Sequence, residues 1–333
     1  MICFENGELE VVVVTYNRKD FVEEWLIKNH DELTKRNIRI RIVDSSTNDD
    51  TEKYISWFNK EYNANVDYEH LNANVLLGYK PVKALLTATT EYTWITADSR
   101  YFDYDDMDNK VFPKIKDKID YIVMQIVNNE NNDDKIYIDK SQFIHECFIS
   151  TTCLGNSIYR NEIFKEIKNN TAERAICDQL FKENYAFAWL GYFYTEFAKK
   201  AYRVAFEKVK IINIYPEKKT PSWIRKFYGC WLVDLCEIVD NIPEIYNGKE
   251  SIPAEVWKDM NLYGDAYSYM ARKYGDLNSK SFNYFLDKGL ISRITTNCKK
   301  IKFYALAPMP VVEIRYFIFR CTDKIDRIMR RGR

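Results

Sequence analysis

The chain carries no net charge. Its 49 Lys and Arg residues balance 49 Asp and Glu residues. Without a positive field, general affinity for nucleic acid is excluded, although a local basic patch is still allowed. Histidine is scarce at three residues, and none of the eight cysteines forms a C-x-x-C pair. A zinc site is therefore not expected, and the scattered cysteines read as reduced cytosolic thiols. No run of about 18 apolar residues free of charge occurs, so no membrane-spanning helix is expected. The N-terminus lacks the charged-then-apolar pattern of a signal peptide and runs almost at once into a core strand. Internal repeats and low-complexity tails are also missing. What remains is a chain of 333 residues, 46% hydrophobic, enough for about two domains with a sizeable core. Its 25 tyrosines read mostly as amphipathic residues at the core edge, with exposed rings able to stack on sugars or bases.

The first half alternates between two periods. Residues 9–15 are a β-branched run that ends in Thr15-Tyr16-Asn17-Arg18. Phe21, Val22, Trp25, Leu26 and Leu33 then recur at helical spacing, predicting a helix over 19–36. Strands follow at 38–44, 66–71 and 92–97, with helices at 49–62 and 80–89 between them. Such alternation predicts an α/β fold with a mostly parallel central sheet flanked by helices. Ligands of such sheets bind at the carboxyl ends of the strands, where this chain places hydroxyls, amides and the acids Asp44 and Asp98. That chemistry suits a nucleotide or a sugar.

Farther along, 121–127 and 135–137 read as strands around an Asn/Asp-rich turn over 128–134. Residues 141–149 read as a strand carrying His145, taken as structural. Residues 160–200 are mainly helical, and 203–214 form a strand. From Pro221 onward the pattern is helical, with helices expected around Trp223–Leu235, over 254–274 and 282–298, and last over 311–331. The expected domains are 1–217 and 218–333, the second ending in a basic amphipathic helix.

Four segments, Val11–Arg18, Val43–Thr51, Asn74–Ala88 and Ala88–Asp98, resemble in order and spacing the nucleotide-sugar domain of family 2 glycosyltransferases, the GT-A fold. The resemblance covers about residues 8–105 well and 150–200 loosely. Two positions depart from the family pattern. Ser46 stands where the family has glycine, and Asp98-Ser99-Arg100 stands where it has a metal-binding D-x-D. The resemblance implies a nucleoside diphosphate sugar lying across the strand ends. Thr15 and Tyr16 would line base and ribose, and Asp44 would accept a bond from the base or else cap its own turn. Asn17 and Arg18 sit where the chain turns into a helix, as ligand contacts or as a cap and a surface charge. Gly78 permits a close backbone approach near the ligand or forms a plain turn. Lys80 and Lys83 are candidates for phosphate or for solvent. Asp98 would hold Mg²⁺ or Mn²⁺ with the diphosphate, or else pair with Arg100 or another neighbour. Arg100 would offset phosphate charge.

The resemblance also implies a catalytic base late in the domain. Asp178 is the nearest match, with Glu173 and Glu196 as rivals. The loop 150–156 resembles the family's acceptor-side loop. The implied activity is sugar transfer, inverting, from a nucleoside diphosphate sugar to a glycan or lipid-linked acceptor, as in bacterial surface polysaccharide synthesis. A second reading is a catalytically weakened nucleotide-sugar-binding protein, motivated by the lost carboxylate. A third, a sugar nucleotidyltransferase, lacks its glycine-rich loop, since Thr15–Arg18 contains no glycine. The last helix combines Ile314, Tyr316, Phe317, Ile318, Phe319, Ile325 and Ile328 with Arg315, Arg320, Lys324, Arg327, Arg330, Arg331 and Arg333, a pairing suited either to an anionic membrane surface or to packing on its own domain. A cytoplasmic protein, peripheral at the inner face of the plasma membrane, is expected.

Overall fold

Four consecutive valines, Val11–Val14, form the middle of strand β1 (Leu9–Thr15), and every residue of the strand is buried. β-Branched residues on both faces are what a central parallel strand needs. The computed structural model describes residues 1–73, 75–127, 135–183, 185–210 and 225–331. The chain divides into two units, one of Met1–Pro216 with Asn241–Lys249, the other of Glu217–Asp240 with Glu250–Arg333.

The first unit holds β1, β2 (Arg39–Asp44), β3 (Val66–His70), β4 (Tyr92–Ala97), β5 (Tyr121–Val127), β6 (Lys135–Tyr137), β7 (Ser157–Arg160) and β8 (Val204–Lys210). They form one sheet in the order β3-β2-β1-β4-β7-β5-β8-β6. The pairs β1–β2, β1–β4 and β2–β3 are parallel. β7 runs antiparallel between β4 and β5, and β6 antiparallel to β8. Thr15 pairs with Asp44 and Asp44 with His70, so the carboxyl ends of β1, β2 and β3 lie side by side.

Helices α1 (Lys19–Lys35), α2 (Asp50–Tyr62) and α3 (Lys80–Thr87) connect these strands. α1 buries Val22, Trp25, Leu26 and Leu33, and α2 buries Ile55 and Phe58, in a core shared with Val11, Val13, Ile40 and Ile42. Each such side chain contributes about 1.5–3 kcal/mol of burial. Later come α4 (Lys140–Thr151), α5 (Thr171–Leu180) and α6 (Ala188–Ala198). The expected strand over 141–149 is therefore a helix. Its buried Phe143, Ile144, Cys147, Phe148 and Thr151 are spaced for one helical face, Ser150 is buried beside them, and the Asp139 side chain caps it by accepting from the Gln142 N–H. His145 lies on this helix, 2.9 Å from the Asn247 carbonyl through Nε2.

The second unit is helical: α7 (Ile252–Asp259), α8 (Asp265–Lys273), α9 (Ser279–Asp287), α10 (Leu290–Ile294), α11 (Lys299–Leu306) and α12 (Met309–Arg331). Two of the long helices expected from the sequence are each broken in two. Asn261 and Gly289 adopt φ of 50° and 67°, a left-handed backbone that no helix can pass through. The turn over 128–134, the strand end 211–214, Asn74 and Trp223 lie outside the described residues.

Candidate functional site

Asp98 follows directly on β4 and is 1% exposed. A carboxylate so buried needs partners. Thr15, the last residue of β1, donates its hydroxyl to Asp98 Oδ2 at 2.7 Å. Arg18 Nη1 lies 3.1 Å from Oδ1, with its guanidinium 3.7 Å above the Phe21 ring. The first and fourth strand tips are thus joined through one acid.

The second tip is held as tightly. Asp44 Oδ1 accepts from the Ser46 N–H at 2.8 Å and from the Ser46 hydroxyl, and Oδ2 accepts from the Tyr68 hydroxyl at 3.1 Å. Burial and the neighbouring Asp44 raise the Tyr68 pKa, so it remains a donor. Ser46 Oγ in turn accepts from the Asn17 N–H at 2.7 Å. Asn17 has a left-handed backbone, φ 51°, and its side-chain oxygen accepts from the Thr47 N–H at 2.9 Å. Asn17 therefore ties two loops together rather than capping α1, whose N-cap Arg18 makes no side-chain cap bond. Ser46, at the position where the family carries glycine, is a bridge between the β1 and β2 tips. Tyr16 stands over them, 46% exposed.

Lys80 enters from the start of α3. It is 1% exposed, its ammonium donates to the Thr15 carbonyl, and it lies 5.3 Å from the Tyr16 ring centroid. Burial lowers its pKa to about 8, against the opposing pull of Asp44 and Asp98. Among the described residues the other ammonium protons have no acceptor. Lys83 points elsewhere on the helix, 5.1 Å from the Tyr79 ring. Gly78 owes its identity to packing: a Cβ there would stand 2.0 Å from the Tyr185 carbonyl oxygen.

Arg100 turns toward the 150–156 loop, with Nη1 3.5 Å from Asn156 Oδ1. Gly155, at φ +99°, leaves the room that Arg100 occupies. Asp178, on α5, is half-buried, and its Oδ1 accepts from the hydroxyls of Tyr79 and Tyr192. Tyr79 immediately precedes Lys80, so α3 touches both the strand tips and Asp178. The rivals are otherwise engaged. Glu166, Glu173 and Glu196 cluster closely enough to hold a metal, but Lys199 bonds Glu173 and lies 2.7 Å from Glu196. Burial raises the Glu196 pKa.

For a metal at the strand tips the described residues offer the Asp98 carboxylate beside the Thr15 hydroxyl, while both oxygens of Asp44 are taken by Ser46 and Tyr68. Mg²⁺ and Mn²⁺ bound with a nucleotide use one or two carboxylates and take their remaining ligands from phosphate and water. The site fits that reduced role, with Arg18 and Lys80 as additional positive charge. Sequence reasoning did not find Tyr68, Tyr79 and Tyr192. Nothing local marks them, because each acts on an acid far away in the chain.

The model of glycosyl transferase family 2 matches residues 10–182, just over half of the chain. The chain belongs to glycosyl transferase family 2. The matched segment contains every strand-tip residue described above and Asp178. Among solved structures, this glycosyltransferase is similar to the mannosyltransferase PcManGT from Pyrobaculum calidifontis, crystallised with GDP-Man and Mn²⁺. The two share 13% identity over 96% of this chain and 88% of that one, at a TM-score of 0.50. It is also similar to S. aureus TarS, at 16% identity and a TM-score of 0.49, over 86% of this chain and 54% of TarS. No curated protein sequence matches it. The sheet and its flanking helices are those of the GT-A fold.

Proposed function

We propose that this glycosyltransferase moves a sugar from a nucleoside diphosphate sugar to a glycan or lipid-linked acceptor, with inversion, in building a bacterial surface polysaccharide or related glycoconjugate. The observation that carries this reading is Asp98, buried at the strand tips between Thr15 and Arg18 with Lys80 close by. Tyr16 offers an exposed face to the base, and Thr15 and Asp44 line the floor beneath it. Lys80 and Arg18 supply positive charge for the diphosphate, and Arg100 adds to it from the side of the acceptor loop. A divalent cation, as in the mannosyltransferase crystallised with GDP-Man and Mn²⁺, would be held by Asp98 together with the donor phosphates. When bound it would neutralise the departing diphosphate.

Transfer is displacement at the anomeric carbon. The acceptor oxygen forms the new bond, the bond to diphosphate breaks, and the diphosphate leaves with the electron pair. Asp178 removes the acceptor hydroxyl proton. The cations of the site stabilise the charge that develops on the leaving group.

The test offers the purified protein GDP-mannose, UDP-N-acetylglucosamine and UDP-glucose, with Mn²⁺ or with EDTA, and measures free nucleoside diphosphate. Release that disappears in Asp98→Ala supports the reading. Donor binding without release in every condition supports the weakened binding protein, a reading that the single carboxylate at Asp98-Ser99-Arg100 favours.

A further inference from the structure

We infer that Tyr79 and Tyr192 are positioning residues for Asp178: their hydroxyls fix one carboxylate oxygen and turn the other toward the acceptor. The inference rests on the reading of Asp178 as the base. Both hydroxyls donate to the same atom, Oδ1. Among the described residues Oδ2 takes no hydrogen bond or ion pair. A general base needs this arrangement, one oxygen anchored and one with a free lone pair at an accessible site.

The two tyrosines reach Asp178 from different places, one just before α3 and one within α6, and each follows a glycine. Gly78 lets the start of α3 lie on the backbone of residues 185–186, where a Cβ would sit 2.0 Å from the Tyr185 oxygen. Gly191 lets the Phe181 ring lie on α6, where a Cβ would sit 2.1 Å from that ring. Both contacts draw α3 and α6 toward the end of α5. The rings of Tyr79 and Tyr192 then meet edge to face at 6.1 Å, and Tyr192 packs on Phe181 at 6.0 Å. Both side chains are buried, so neither can swing away. Burial first, and then the bond to Asp178, raise both phenol pKa values well above the usual range, so both stay protonated donors. The geometry also couples the two halves of the reaction. Tyr79 fixes the base while Lys80, one residue later, touches the strand tip beneath the donor.

The test uses the full chain with the nucleotide sugar it turns over, and water or an octyl glycoside as acceptor. Asp178→Asn is made first. Wild-type turnover in that variant would dismiss the base reading and the inference with it. Loss of turnover with donor affinity retained upholds the base. Tyr79→Phe and Tyr192→Phe are then expected to lower kcat about ten- to a hundredfold each, with donor KM unchanged. The double variant should fall well short of the product of the two losses, because both act on one atom. Phe variants that melt at lower temperature but keep the wild-type kcat would overturn the inference while leaving Asp178 as the base.

Discussion

Lys80 shows how far one residue can depend on its surroundings. A lysine on a helix is ordinarily solvated, yet this one is closed in beneath Tyr16 with, among the described residues, one carbonyl for its three protons. Its pKa of about 8 lies below the ordinary 10.5. Between those values the unfolded chain holds a proton that the folded chain has released. The contribution of Lys80 to stability therefore rises with pH across that window. If Lys80 offsets the donor's diphosphate as proposed, donor attraction runs the other way, since its ammonium charge is lost over the same window. Donor affinity measured by calorimetry should weaken as pH passes about 8, and Lys80→Met should bind weakly at every pH with that inflection gone. Affinity of the wild type that stays flat from neutral pH to pH 9.5 would remove Lys80 from the donor site. Asp44 makes a second case. Its oxygens accept from Ser46 and Tyr68, and Asp44→Asn swaps one acceptor for a donor facing other donors. A loss of about 1–3 kcal/mol in urea unfolding is expected. Both acids, Asp44 and Asp98, are legible in the sequence because each ends an apolar strand. The pairings are not: Arg18 and Ser46 stand out in the sequence without their acids and Tyr68 not at all, because only the sheet brings these residues together.

Elements were legible wherever one period dominated. β1, β2, β4, α1 and α2 follow from β-branched runs and from apolar residues three and four apart. α4 was not, though its signals were present. Phe143, Ile144, Cys147, Phe148 and Thr151 trace a helical stripe behind a capping Asp139, but the short aromatic and β-branched run reads equally as a buried strand. Asp139→Ala removes the acceptor for the Gln142 N–H and should cost about 1 kcal/mol. In a unit of this size that is roughly 2–4 °C in Tm, and an unchanged Tm would show that the cap is idle. The broken helices of the second unit mark the opposite limit. Apolar spacing continues across Asn261 and Gly289, and only the backbone reveals the stops. Gly191 belongs to the same class. Its sequence context predicts nothing, but Gly191→Ala would drive a methyl into the Phe181 ring. A loss of about 1–3 kcal/mol is expected in denaturant unfolding. Because Tyr192 is the next residue, turnover should fall as well.

At the scale of the whole molecule, a balanced net charge conceals a local arrangement. Among the described residues no helix is long and apolar enough to cross a membrane. Yet α12 carries apolar side chains on two faces. One packs within its unit, with Val312 buried, Tyr316 stacked 3.8 Å from Tyr269, and Arg315 paired with Asp265. The other is open to solvent: Val311, Ile314 and Ile318 follow each other at helical spacing beside Phe317, which is 69% exposed. The sequence continues with Lys324, Arg327, Arg330, Arg331 and Arg333. An exposed apolar patch followed in sequence by a run of cations would suit an anionic lipid surface, where burial and charge attraction add. The inward face packs within the unit, and a lipid surface would give the outward face a partner as well. The protein should therefore sediment with vesicles containing phosphatidylserine and not with pure phosphatidylcholine, and high salt should weaken the association. Phe317→Ser with Ile318→Ser should abolish it while leaving the melting temperature and donor hydrolysis unchanged, since both side chains are exposed. Sedimentation of that double variant equal to wild type would mean that the outward face of α12 does not meet the membrane.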